Sequence, residues 1–98
     1  MNIQIVVHAP ESAKDVVKRL AEKNISGKLD AYLKKFDKAD AVGKFEIKTE
    51  TNKKWLFDTT LQASLDGKNY HYHREDYSNL DDLINNLFDH LKEQLSEK

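Results

Sequence analysis

Two strands joined by the dipeptide Asp66-Gly67 constrain the fold of this chain more than any other feature of its sequence. Residues 55–65 carry an apolar or threonine side chain at every second position, the period of a strand with one buried face. Asp-Gly favours a two-residue hairpin turn, since that turn needs a positive φ at both positions. The resulting register opposes Leu65 with Lys68, Ala63 with Tyr70, Leu61 with Tyr72 and Thr59 with Arg74. We therefore predict a hairpin whose second strand turns its tyrosines toward the core.

Two further segments alternate in the same way. Residues 1–8 put aliphatic side chains on one face, and residues 41–51 turn Phe45 and Ile47 inward and charged side chains outward. One strand therefore precedes the first helical region and three follow it, before a last helix. We predict an α+β fold of order β-α-β-β-β-α in a single domain, residues 1–98, with a four-stranded sheet and helices packed on one face.

The first helical region contains two apolar stripes instead of one. The stripes lie within residues 13–20 and 25–36, and at about 100° per residue their centres differ by about 150°. One straight helix could not turn both stripes to one core. We therefore expect two helices, residues 11–23 and 26–37, with a break near Asn24–Gly27.

Composition excludes several classes of protein. The chain has 98 residues, of which 39% are hydrophobic, enough for one modest core. It has no cysteine, which excludes disulfides, zinc–cysteine sites and thiol catalysis. Its apolar runs are too short to span a membrane, and its N-terminus does not resemble a signal peptide. We expect a cytoplasmic protein with no cofactor, no membrane contact and no small-molecule substrate.

The charges are nearly balanced in number but not in position. The formal net charge is −1, which argues against a strong general binder of nucleic acid. Residues 1–74 hold 14 bases and 10 acids, whereas residues 75–98 hold 2 and 7. This division predicts a polarised surface, although solvated faces of amphipathic helices commonly carry such charges.

Three clusters of chemically active side chains have simple structural explanations. His71 and His73 share a strand face and could chelate a metal, but no complete ligand set accompanies them, so we expect two exposed histidines and no metal. Trp55 and the other aromatics on the apolar strand face are expected in the core, not in a base-stacking platform. The acids of the last helix lie on an exposed face without a pocket, so we expect no enzyme.

The last helix carries the most specific motif. Ser78 or Asn79 caps it, and an apolar stripe runs along it from Leu80. Within it, five residues match one final-helix pattern: Ile84, Asp89, Leu91, Gln94 and Leu95. That pattern, I-D-x-x-x-D-K-L-E-R-Q-L, is typical of the ribosome hibernation-promoting factor family, which includes the ribosome-associated inhibitors, and the chain resembles this family along essentially its whole length. Residues 28–36 are similar to the K-L-x-K-L-E-K-Y-F that ends the family's first helix.

The resemblance implies a divergent short form that acts as a monomer, without the C-terminal dimerisation domain of the long forms. It implies binding and not catalysis. Members of the family lodge between the head and body of the small ribosomal subunit, overlap the mRNA and tRNA channel, and hold ribosomes idle during dormancy or stress. Lysine and arginine would then contact the phosphates of the ribosomal RNA. In decreasing order of preference, the candidates are Lys28, Lys34, Lys35 and Lys38; then Lys14, Lys18, Arg19 and Lys23; then Lys53, Lys54, Lys68, Arg74 and Lys92.

Two other functions fit parts of the sequence. A double-stranded-RNA-binding domain has the same α-β-β-β-α core order, but it needs a basic cluster where the last helix here begins with Asp81 and Asp82. A protein-interaction domain or homodimer without RNA contact is compatible with the net charge of −1.

Overall fold

The alternating segments form one mixed sheet. The computed structural model describes residues 2–33, 42–65 and 67–96. Four strands lie side by side in chain order: β1 (Asn2–His8), β2 (Val42–Thr51), β3 (Phe57–Leu65) and β4 (Lys68–Tyr77). β1 pairs with β2 in parallel, and the other two pairs are antiparallel. The predicted element order and the α+β class are confirmed.

The hairpin between β3 and β4 has the predicted register. Its opposed pairs are Leu65 with Lys68, Ala63 with Tyr70, Leu61 with Tyr72 and Thr59 with Arg74. Gly67 has a φ of 83°, the left-handed conformation that the turn demands, whereas Asp66 lies outside the described residues. Tyr70 and Tyr72 pack against the core as partly buried residues.

β3 begins two residues later than its alternation predicts. Trp55 has a φ of 62° and is 85% exposed, so the expectation that it belongs to the core was wrong. The physical reason is a tight loop. The Trp55 N–H donates to the Asn52 carbonyl at 3.0 Å, and the Asn52 N–H donates to the Leu56 carbonyl at 2.8 Å. The chain therefore turns through this loop, and strand alternation starts only at Phe57.

The first helical region is continuous. It comprises α1 (Glu11–Asn24), a π-helical segment (Ile25–Leu29) and α2 (Asp30–Leu33). An irregularity falls where one was predicted, but the expected break was wrong, because Asn24, Ile25 and Asp30 all have helical backbone angles. The rest of the second predicted helix, residues 34–37, lies outside the described part of the chain.

The π-helical segment explains how two apolar stripes face one core. Buried residues recur every four positions along this helix: Ala13, Val17, Ala21, Ile25 and Leu29. On an α-helix each step of four drifts by about 40°, so such a stripe would rotate away from the sheet. Hydrogen bonds from i to i+5 place an extra residue in the turn and offset this drift. Leu29 is accordingly fully buried.

The core lies between one face of the sheet and the helices. The last helix, α3 (Leu80–Ser96), is capped by Asn79, whose Oδ1 accepts the Asp82 N–H at 3.2 Å. The rings of Phe45 on β2 and Phe88 on α3 meet with centroids 6.2 Å apart. The largest fully buried side chains include Phe45, Ile47, Leu61, Leu65, Leu83, Ile84, Leu87, Phe88 and Leu91. Among the described residues, no helix is long and apolar enough to cross a membrane.

Candidate nucleic-acid interface

The basic side chains of α1 are exposed. The side chains of Lys14, Lys18, Arg19 and Lys23 form no ion pair or hydrogen bond among residues 2–33, 42–65 and 67–96. At about 100° per residue, Lys14 and Lys18 lie on one flank of the exposed face and Arg19 and Lys23 on the other. The ridge between these flanks carries Glu11, Asp15 and Glu22.

The two flanks of α1 have different surroundings. Lys23 lines a groove of about 380 Å³ between the first helical region and α3, together with Asp81 at the start of α3. Lys14 and Lys18 lie on the opposite flank, away from that groove. Asp81 therefore offsets the charge of Lys23 more than that of Lys14 and Lys18.

Lys28, the first predicted RNA contact, is already paired. Its Nζ lies 2.6 Å from Asp89 Oδ1 on α3, and the two side chains are 31% and 58% exposed. This pair ties the π-helical segment to α3 and neutralises the lysine within the protein. The other preferred candidates, Lys34, Lys35 and Lys38, lie outside the described residues.

Asn24 forms a buried polar contact between the helices. It is 3% exposed, and its Nδ2 donates to the Leu20 carbonyl at 2.8 Å and to Asn85 Oδ1 at 2.9 Å. Its own Oδ1 is buried without a hydrogen-bond partner among the described residues. Sequence reasoning took Asn24 for the end of a helix and missed this role, since its partner is 61 positions away.

Arg74 is engaged inside the protein. Its Nε donates to Asn86 Oδ1 at 3.0 Å, its Nη1 donates to the His73 carbonyl at 2.8 Å, and its Nη2 lies 3.1 Å from His90 Nδ1. The His90 ring also packs on Tyr72, with centroids 4.5 Å apart. Arg74 thus connects β4 to α3, and each nitrogen of its guanidinium makes a contact within the protein.

The remaining predicted contacts do not converge. Lys53 and Lys54 lie in the loop between β2 and β3, and the Lys54 Nζ is 3.4 Å from Asp76 Oδ2. Lys68 begins β4 at the other end of the sheet, since β3 separates the two turns. Lys92 is exposed on α3. Of the described candidates, only the α1 bases form a group of four on one element, in two pairs with the acidic ridge between them.

The face of the sheet that the helices leave uncovered is polar. Cross-strand neighbours form three rows, Gln4–Lys44–Ser64–Asn69, Val6–Glu46–Gln62–His71 and His8–Lys48–Thr60–His73. A pocket of about 260 Å³ opens on this face beside His71. The two lysines of β2 alternate with Glu46 and Glu50, and Lys48 Nζ lies 3.4 Å from Glu50 Oε1. This face therefore offers hydrogen-bonding groups without an excess of positive charge.

The paired histidines of β4 lie on this open face. His71 and His73 are both exposed, as predicted. His73 uses both ring nitrogens within the chain, with Nδ1 2.8 Å from Thr60 Oγ1 and Nε2 2.9 Å from Glu75 Oε1. No group of three or more metal-ligating side chains occurs in the part of the chain that the structure describes.

These features define a class: a small α+β domain whose mixed sheet is covered by helices on one face and is open and polar on the other. Solved structures of this class include the N-terminal domain of Protein Y from Thermus thermophilus. It matches with a TM-score of 0.59 and 20% sequence identity over 97% of this chain and 96% of that chain. The likeness shows a shared fold from end to end. Comparison with family models and with curated proteins gave no match.

Proposed function

We propose that this protein binds the RNA of the small ribosomal subunit and inhibits translation by occupying the mRNA and tRNA channel during dormancy or stress. The observation that carries the proposal is the fold. The order β-α-β-β-β-α, which the hibernation-factor resemblance implies, is the order of this chain. The likeness to the Protein Y domain over nearly all of both chains supports a ribosome-associated role.

The flank of α1 that carries Lys14 and Lys18 is the RNA contact that the charges favour. Both side chains are exposed, and neither is paired within the described chain. Positive charge releases counterions from a phosphate backbone, and this release supplies much of the affinity of proteins for nucleic acid. Arg19 and Lys23 are the second choice because Asp81 lines the same groove as Lys23.

Co-sedimentation with purified small ribosomal subunits at low salt tests the proposal. Three double variants change the net charge equally at different places: K14E/K18E, R19E/K23E and K44E/K48E. We expect K14E/K18E to lose binding most, because it reverses the charge of Lys14 and Lys18, which Asp81 of α3 offsets less than that of Lys23. K44E/K48E is the matched control on the open sheet face and should bind like the wild type.

Failure of the wild-type protein to bind small subunits at low salt contradicts the proposed function. Equal loss of binding in all three variants would mean that net charge and not the α1 surface governs association. Tight binding to a bare RNA duplex without ribosomes would identify a double-stranded-RNA-binding domain. A stable dimer that ignores ribosomes would identify a protein-interaction domain.

A further inference from the structure

The loop between β2 and β3 displays an indole to solvent. Trp55 is the only tryptophan of the chain and is 85% exposed. Its φ of 62° is a left-handed conformation, which a bulky side chain rarely adopts. Burial in the core would ordinarily favour so large an apolar side chain, so its position on the surface calls for an explanation.

Asn52 holds this loop in one conformation. Its Oδ1 accepts the N–H groups of Lys54 at 2.9 Å and of Leu56 at 3.2 Å. Its Nδ2 donates to Asp58 Oδ1 at 2.9 Å and to Asp76 Oδ1 at 2.7 Å. Asn52 thus connects the backbone of the loop to Asp58 on β3 and to Asp76 on β4. Strained backbone that the surroundings enforce in this way is typical of functional surfaces.

The surroundings of Trp55 favour a nucleobase over a protein partner. The other large exposed apolar side chain among the described residues is Ile3, which lies at the opposite end of the sheet. Tryptophan anchors of protein interfaces occur at the centre of a wider patch that excludes water. Stacking on an unpaired base needs only one flat ring in a hydrated, charged setting, and Trp55 has lysines at positions 53 and 54 beside it.

We propose that Trp55 stacks on an unpaired base of RNA and that Asn52 positions it for this contact. The inference rests on the proposed function, which it extends by a second point of RNA contact. Charge around the loop is balanced, because its two lysines, at positions 53 and 54, are matched by Asp58 and Asp76, and Lys54 Nζ lies 3.4 Å from Asp76 Oδ2. Stacking and not phosphate attraction therefore supplies the affinity here, so this contact depends little on salt.

The fluorescence of the single tryptophan measures this contact directly. We expect a short single-stranded oligoadenylate to quench the emission of the wild-type protein, whereas the same strand in a duplex should not. With labelled RNA, W55A should bind the oligoadenylate and small subunits about 5- to 150-fold more weakly than the wild type. W55F keeps a flat ring and should retain most of the affinity. I3A removes the other exposed apolar side chain and serves as the matched control.

The dependence on salt separates stacking from charge. W55A should weaken binding by the same factor at every salt concentration, while K14E/K18E should reduce the dependence on salt itself. N52A keeps the indole but loosens the loop, so its affinity for RNA should lie between those of W55A and the wild type.

Several results would overturn the inference. One is wild-type affinity of W55A for both oligoadenylate and small subunits, which removes Trp55 as a contact and leaves the proposed function intact. Another is loss of small-subunit binding in W55A without quenching by oligoadenylate, which would place the indole on a ribosomal protein. If the wild type does not bind small subunits, the proposed function fails, whatever the fluorescence shows.

Discussion

Thr49 and Thr59 form a polar contact inside the sheet. They are opposed across β2 and β3, they are 2% and 0% exposed, and their Oγ1 atoms lie 3.0 Å apart. The alternation of β3 already placed Thr59 on the apolar face, but only the register of β2 supplies its partner. Each hydroxyl satisfies the other, which removes the cost of burying either one alone.

Valine at these two positions tests that pairing. T49V or T59V alone should lower the free energy of unfolding by about 1–3 kcal/mol, because each leaves one buried hydroxyl without a partner. The double variant should return to within about 1 kcal/mol of the wild type, since no unpaired group remains. Denaturant unfolding of all four proteins measures this cycle. Additive losses would show that the two hydroxyls are not coupled.

Arg74 allows a second test at the residue scale. R74A removes three hydrogen-bonding contacts, two from β4 to α3 and one within β4, and it should lower the free energy of unfolding by about 1–3 kcal/mol. R19A removes an exposed arginine without such contacts and should change it by at most about 0.5 kcal/mol. Equal stability of the two variants in denaturant unfolding would contradict the structural role of Arg74.

At the scale of elements, the π-helical segment shows where a pattern with one fixed period fails. Both apolar stripes of the first helical region exist, and the angle between them on an ideal α-helix was counted correctly. The error lay in taking the helix as uniform, since a single π-helical turn changes the angle by which successive residues rotate. Asn24 and Gly27, which the sequence suggested as the site of a break, have other roles. Asn24 forms a buried contact with Asn85, and Gly27 lies on an open helical surface.

Gly27 provides the test of this element. It lies in the π-helical segment, its φ is not in the left-handed region, and a Cβ built on it has nothing within 4 Å. Alanine restricts the unfolded chain more than glycine does, so G27A should raise the free energy of unfolding by about 0.4–1 kcal/mol. Thermal or denaturant unfolding measures it. A loss of stability would mean that the backbone at Gly27 is not helical.

The strands show which parts of the fold follow from local sequence. The register of the β3–β4 hairpin depends on the turn and the alternation alone, and it was predicted pair by pair. The start of β3 was not predicted correctly. The Oδ1 of Asn52 accepts the N–H groups of Lys54 and Leu56, and the strand therefore begins later. Trp55 therefore lies on the surface and not in the core, where it was expected. An asparagine before two lysines was the available signal for this loop.

At the scale of the whole molecule, the bases of the described residues do not gather on one surface. Lys28 and Lys54 are paired with acids, Arg74 faces α3, and Lys68 lies at the far end of the sheet from Lys53. The sequence shows how many bases there are but not which are neutralised, because Lys28 and Asp89 are 61 positions apart. The proposed RNA contact accordingly reduces to α1, with the Trp55 loop as a separate point of contact.

The affinity of the wild-type protein for purified small ribosomal subunits, measured over a salt series, tests the central claim most directly. Two to four phosphate contacts from the α1 bases predict that the logarithm of affinity falls with the logarithm of salt with a slope of about −2 to −4. K14E/K18E should make that slope shallower by about 2. An absence of binding at low salt, or an affinity that does not change with salt, would contradict the claim that this nearly neutral protein binds ribosomal RNA through α1.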